Sequence, residues 1–270
     1  MTVENLWFDS EVIRGHNKEI KGRDFNYEYE IDDPSFKILH HTAMICSEAR
    51  FDVTNDEVRS PDFKYSTASV IGDASETALV KFYQPIEDIL KTRALYSFAK
   101  TEDNSEAKMP FNSTNKYALS IVEQEGPDHH YVSYIKGAPE KVWKYCGRIL
   151  HEGQYKTIDA QDRKNFDSVN LRFGKNGERV LGFAMFPLNK EQFPRGFSFN
   201  TSSPNNFNFP LENYVFVGLI SLMDPPKESV PFAIKKCQSA GIKVIMVTGD
   251  QPPTAAAIAK QIGIISLKTN

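Results

Sequence analysis

The chain reads as an α+β protein. It has an antiparallel sheet of about six strands flanked by helices, followed by an incomplete α/β piece. Three observations predict this. Strand-like runs at 117–122, 131–136, 179–186 and 214–222 are interrupted by helices without a regular βαβ alternation. The opening residues have the pattern of a hairpin. Beyond Asp224 the pattern becomes helix, apolar strand, turn and helix, a piece of doubly wound structure too short to close a domain alone.

The elements follow in order. MTVENLWF and EVIRG flank Asp9-Ser10 as two arms of a hairpin. Ser35 to Ala49 has helical apolar spacing. A second helix starts at Asp73 and runs through SETALVKFYQPIEDIL, with Pro85 breaking or kinking it. In PFNSTNKYALSI (110–121), Lys116, Ala118 and Ser120 alternate with Tyr117, Leu119 and Ile121, so one face packs and the other is free. Helices are expected after Pro139 and near 159–172, and the stretch from Pro187 to Pro210 reads as a long irregular loop. The joint Asp224-Pro225-Pro226 leads into a helix at 227–240, a strand IKVIMV at 242–247, a Thr248-Gly249-Asp250 turn and a helix at 254–262. The expected division is 1–222, a joint at 223–226, and 227–270.

Composition bounds the function. With 270 residues, 40% hydrophobic, 19 Phe and 11 Tyr, the chain can bury a large core. A net charge of −3 gives no basic field for nucleic acid. The longest apolar run, YVFVGLISLM at 214–223, is about half of a membrane span of roughly 20 residues. No leader pattern opens the chain, and a soluble piece is expected. Cys46, Cys146 and Cys237 are far apart, which fits reduced thiols in a cytosolic setting. The His40-His41 and His129-His130 pairs show no ligand spacing, so no metal site is expected.

Several short stretches carry chemistry. Thr248-Gly249-Asp250 puts a hydroxyl, a free backbone and a carboxylate at a strand's carboxyl edge, where phosphate commonly sits, although an ordinary polar turn reads the same. In GDASETAL, Asp73 and Glu76 fit a capping pair, and a first-turn carboxylate can also face a neighbouring pocket. IKGAPE sets Lys136 and Gly137 before a helix start, and GERVLGF places Arg179 at a strand start. An aromatic (Phe111), two lysines (Lys116, Lys136), an arginine and a carboxylate together suit an adenine nucleotide: the ring stacks on the purine and the cations meet phosphates. Neither GxxxxGKS nor GxGxxG is present.

GDASETAL, PFNSTNKYALS, KGAPE, GERVLGF, FVGLISLMDPP and IKVIMVTGDQPPTAAAIAKQIGII, in this order, resemble the large cytoplasmic loop of P-type cation-transporting ATPases. FNSTNKY, EQFPRGFSF and FVGLISLMDPP are most similar to the α subunits of the Na,K- and H,K-transporting group. The resemblance implies a nucleotide-binding domain over 1–222, a hinge at 223–226, and part of a haloacid-dehalogenase-like phosphorylation domain over 227–270. It implies ATP as ligand, with Phe111 stacking on adenine, Glu76 near its amino group, Lys116 and Lys136 lining the pocket, Gly137 at its floor and Arg179 reaching the phosphates. Thr248, Gly249 and Asp250 match the turn that meets the γ-phosphate end. In the intact pump the same resemblance implies Mg²⁺, the remaining pump domains and a β subunit as partners, on the cytoplasmic side of a plasma membrane.

Three departures stand out. The family's phosphorylated Asp, in DKTGT, is placed before Met1, so no catalytic or metal-binding residue is expected within these residues and no hydrolysis by them alone. Ala118 stands where sodium-pump relatives usually place Gln, and Lys227 where they usually place Arg. A stand-alone nucleotide-binding or regulatory module is the alternative reading. A dehalogenase-type phosphatase is disfavoured, because it needs the same nucleophile.

Overall fold

The opening hairpin forms as its pattern predicts: β1 (Thr2–Phe8) turns through Asp9 and Ser10 into β2 (Glu11–Arg14). Both turn residues have positive φ (50° and 66°), the conformation that matches the twist of paired strands. This is a computed structural model. It describes residues 1–15, 18–19, 25–26, 29–124, 130–224, 226–227, 229–250 and 252–265. His129, Pro225 of the Pro-Pro joint and Glu228 of the expected 227–240 helix lie outside the described residues.

Eight more strands complete one sheet. They are β3 (Ser97–Phe98), β4 (Lys108–Met109), β5 (Tyr117–Gln124), β6 (His130–Gly137), β7 (Cys146–His151), β8 (Gln154–Thr157), β9 (Arg179–Pro187) and β10 (Tyr214–Met223). The order is β8-β7-β10-β9-β6-β5-β3, with β4 also pairing β5, and β1 pairing the second half of β10. The α+β class stands, but the sheet has 10 strands among the described residues rather than about six. The extra ones are two-residue strands too short to show a period, and the β7–β8 hairpin, whose second arm QYKT is exposed throughout and so has no apolar alternation. One pair, β7 with β10, is parallel, so the sheet is not wholly antiparallel.

Besides a single turn at Asn55–Val58, the helices among the described residues are α1 (Pro34–Ile45), α2 (Ala74–Tyr83), α3 (Ile89–Ala94), α4 (Pro139–Lys144), α5 (Ala160–Lys175), α6 (Ser229–Ser239) and α7 (Pro252–Gln261). α1 is shorter than its apolar spacing predicts: Cys46 caps it, and 47–49 leave without regular structure. α2 stops at Tyr83, because Pro85 has no N–H to continue it, and α3 begins afresh behind the Asp88 cap.

The sheet has a core on each face. On one, Phe36, Leu39 and Met44 of α1 and Leu79, Val80 and Tyr83 of α2 meet Val122, Phe183 and Val217. On the other, Trp143 of α4 and Phe166 and Phe173 of α5 meet Leu119, Ile121, Ile135 and Phe216. Trp143 stacks on Phe166 with centroids 4.1 Å apart, an arrangement worth ~0.5–1.5 kcal/mol beyond its buried area. The Pro187–Pro210 stretch is irregular yet ordered by this core: it delivers Phe193, Phe199 and Phe209 as buried residues, and Ser198–Phe199 pairs with Lys100–Thr101.

Beyond Asp224 the expected strand at 242–247 is not formed. Ile242, Ile245 and Val247 are 57%, 71% and 94% exposed. A strand needs a neighbour to take its N–H and C=O groups, and among the described residues none lies beside this segment. α7 packs instead against α5, with the Thr254 hydroxyl donating to the Glu178 carbonyl at 3.3 Å.

Candidate functional site

A cleft of about 670 Å³ lies on the α1–α2 face of the sheet. Its walls are the end of α1, the first turn of α2, the free face of β5 and the segment from Tyr96 to Phe111. The alternation along β5 sets its lining: Ala118 and Ser120 face the cleft, whereas Tyr117 and Ile121 enter the opposite core. Lys116 does not continue that alternation. Its φ of 62° is left-handed, its N–H donates to the Asn112 carbonyl, and the strand begins one residue later.

The deep wall is built around one carboxylate. Asp73 caps α2 by accepting from the N–H groups of Ser75 and Glu76, as its position predicts. Glu76 does not complete a capping box; it points into the wall. Its Oε1 accepts from Lys136 Nζ at 2.6 Å, and its Oε2 accepts from the N–H groups of Glu48 and Ala49 at 2.9 and 3.0 Å. Both charged groups are nearly buried, at 9% and 5% exposure. Lys136 also donates to the Ser47 hydroxyl at 2.9 Å. A carboxylate has about four lone-pair directions, and three are filled here, which leaves one for a donor on a ligand.

Arg93, itself part of the cleft lining, secures the same segment. Its guanidinium donates to the carbonyls of Met44, Ser47 and Ala49, so residues 44–49 are held by their N–H groups on one side and by their carbonyls on the other. Burial lowers the Arg93 guanidinium from its ordinary value, and the charges of Glu76 and Glu48 oppose that. Burial pushes the Cys46 thiol at the cleft floor up to about 12, so it is neutral and non-nucleophilic. At the rim, Lys108 pairs with Glu48 at 2.9 Å and Glu106 at 2.8 Å. Burial lowers its ammonium, but these hydrogen bonds and charges outweigh that and leave it raised.

Phe111 stands at the mouth, 58% exposed although apolar. An exposed aromatic plate, a low wall at Ala118 and a buried carboxylate with spare capacity can receive a flat aromatic ligand that carries an amino donor.

Of the residues singled out from the sequence, Phe111 and Glu76 line the cleft, and Lys136 lies behind Glu76 rather than at the surface. Lys116, Gly137 and Arg179 do not line it. Gly137 serves the close approach of β5 to β6, since a Cβ there would lie 2.4 Å from the Lys116 carbonyl oxygen and 2.6 Å from Tyr117 Cα. Arg179 ion-pairs with Asp250 at 3.0 Å, and the Thr248 hydroxyl donates to the same Asp250 carboxylate at 3.0 Å. The arginine and the Thr248-Gly249-Asp250 turn therefore form a second polar cluster, outside the cleft lining. Sequence reasoning missed Arg93, Ser47, Glu48, Tyr96 and Lys108. None sits in a recognisable local motif, and Arg93 meets its partners only through the packing of α3 against α1.

Comparison with known proteins agrees in extent with this architecture. The family described as "P-type ATPase, cytoplasmic domain N" matches residues 35–229. The sodium/potassium-transporting ATPase subunit alpha of Drosophila melanogaster is 42% identical over 268 residues, 98% of this chain and 24% of that protein. Subunit alpha-3 of the same ATPase from Homo sapiens is 41% identical over 267 residues, 98% of this chain and 25% of that protein. The potassium-transporting ATPase alpha chain 2 of Cavia porcellus is 41% identical over 268 residues, 98% of this chain and 24% of that protein. The chain thus spans about a quarter of the length of these relatives.

Proposed function

The chain belongs to the P-type ATPases, in the region of the cytoplasmic N domain, and from that premise we propose that it binds ATP in the cleft beside α1 and α2. One observation carries the reading: an aromatic ring left 58% exposed at the mouth of a polar cleft whose buried carboxylate retains an unused acceptor direction. Phe111 stacks on adenine, Glu76 accepts from its amino group, and Lys136 holds Glu76 in place. Ala118 gives room without a polar contact. Lys116 and Arg179 are assigned to phosphates beyond the mouth, with Thr248, Gly249 and Asp250 on the phosphate side and Gly137 keeping the strands beneath close.

The division proposed is an N domain over 1–222, a hinge over 223–226 and part of a phosphorylation domain over 227–270. The exposed apolar side chains of 242–247 support it, since they suit a strand completed by further parts of a sheet. In the whole protein, ATP hydrolysis through an aspartyl phosphate would drive Na⁺/K⁺ or H⁺/K⁺ transport. The other pump domains and a β subunit would be its partners, and this region would lie on the cytoplasmic side. Among the described residues no helix is long and apolar enough to cross a membrane. Mg²⁺ would accompany the phosphates, and no residue of this chain is assigned to it.

The test is titration of ¹⁵N-labelled protein with ATP. Amide shifts are expected at Phe111, Ala118, Ser47 and Glu76. If those amides stay fixed while others move, the cleft is not the nucleotide site.

A further inference from the structure

We propose that His40, His41 and Glu87 form a binding site for one divalent transition-metal ion of the Zn²⁺ class. The site adjoins the cleft through Tyr96, but none of its three ligands lines the cleft, and its failure would leave the nucleotide reading untouched. Adjacent histidines on a helix point about 100° apart, and so carry no ligand signature in sequence. Here Glu87, from the turn after α2, comes between them. Its Oε2 lies 3.7 Å from His40 Nδ1 and 3.7 Å from His41 Nε2, and the three ligand atoms all lie within 4.8 Å of one another. Those separations are too long for hydrogen bonds and close to the roughly 3.4 Å spacing of ligand atoms around a tetrahedral ion with bonds of about 2.0–2.1 Å.

The surroundings fit a metal better than an ion pair. His40 is fixed by stacking on Tyr83, with centroids 4.1 Å apart and planes 8° apart. Its Nε2 is buried without a partner, so Nδ1 alone faces the carboxylate. His41 Nδ1 meets the Tyr96 hydroxyl at 2.6 Å, the outer contact that orients a ligating imidazole and fixes its tautomer. The side chains of His40, His41 and Glu87 are 2%, 20% and 33% exposed. Three protein ligands thus close the inner side, and the outer side is open to water.

The experiment uses the full 270-residue chain and Zn²⁺ alone, measured by competition with a chromogenic chelator. Co²⁺ follows as a spectroscopic probe of geometry. The expected result is one saturable equivalent, with the visible spectrum of a tetrahedral cobalt site. Glu87→Gln and His41→Gln should each weaken binding more than about 100-fold. Tyr96→Phe should weaken it by about 10–100-fold, as loss of an outer contact does. His151→Gln should change nothing. Circular dichroism of each variant separates lost folding from lost ligation. Zn²⁺ binding no tighter in the native chain than in Glu87→Gln, or weakened equally by His151→Gln, or without saturation at one equivalent, would overturn the proposal.

Discussion

Replacing Lys136 by Met tests how the cleft wall works. The substitution keeps the volume of the stem and removes the ammonium that Glu76 Oε1 meets at 2.6 Å. Removing one partner of a buried ion pair costs ~3–5 kcal/mol, because the other charge stays buried and uncompensated. Glu76 keeps two backbone N–H donors, which places the cost near the lower end, about 3 kcal/mol. In a chain of this size that lowers the melting temperature by roughly 6–12 °C. Adding Glu76→Gln should recover a large part of the loss, since the amide oxygen can still accept from Glu48 and Ala49 while no charge remains unpaired. ATP affinity, by calorimetry, should follow the same course: weakened in Lys136→Met, where a bare carboxylate faces the cleft, and partly restored in the double variant. If Lys136 met phosphate directly, the second substitution would restore stability but not affinity. A double variant as unstable as the sum of the singles would refute the argument that these two charges form one unit.

Three further outcomes follow from the same geometry. Phe111→Ala should weaken ATP binding by about 0.5–1.5 kcal/mol, or roughly 2- to 13-fold, with the unfolding midpoint nearly unchanged, because the ring is mostly exposed before ligand arrives; an equal loss of stability would mean that the ring belongs to the core. Gly137→Ala should cost about 1–3 kcal/mol in urea unfolding, since its Cβ would press on the backbone of Lys116 and Tyr117, and a neutral outcome would show that β5 and β6 can part without penalty. At about pH 8 the Cys46 thiol, pushed up to about 12 by burial, should resist alkylation until the protein unfolds. Rapid labelling of Cys46 in the folded state, located by mass spectrometry, would show the cleft floor to be open.

What could be read from the sequence depended on how local each cause is. Asp73 announced the start of α2, and Pro85 its end, because caps and prolines act within one turn. The period along Tyr117–Ile121 gave the correct faces for Ala118 and Ser120 because a pleat imposes it residue by residue. It failed one residue earlier, at Lys116, where a left-handed backbone resets the direction of the side chain. The strand at 242–247 was read from its apolar run, which registers what a segment would bury, not whether a neighbour stands beside it.

The site shows the same limit more sharply. Phe111 and Glu76 were named from the sequence, but Glu76 was given a capping partner three residues away, and its real partners come from residues 48, 49 and 136. A carboxylate at the third position of a helix satisfies the capping pattern whether or not it turns back. The choice here is set by competing donors. Backbone N–H groups of the segment after α1 and a buried ammonium prevail over one exposed N–H, since an ionised acceptor gains most where water is excluded. Arg93 had no signature at all, and yet it fixes the segment that supplies those donors. The cleft is therefore shaped by charges that brace its wall, Arg93 within the lining and Lys136 behind Glu76. A substitution at Lys136, which does not line the cleft, should alter binding as much as substitutions at its surface.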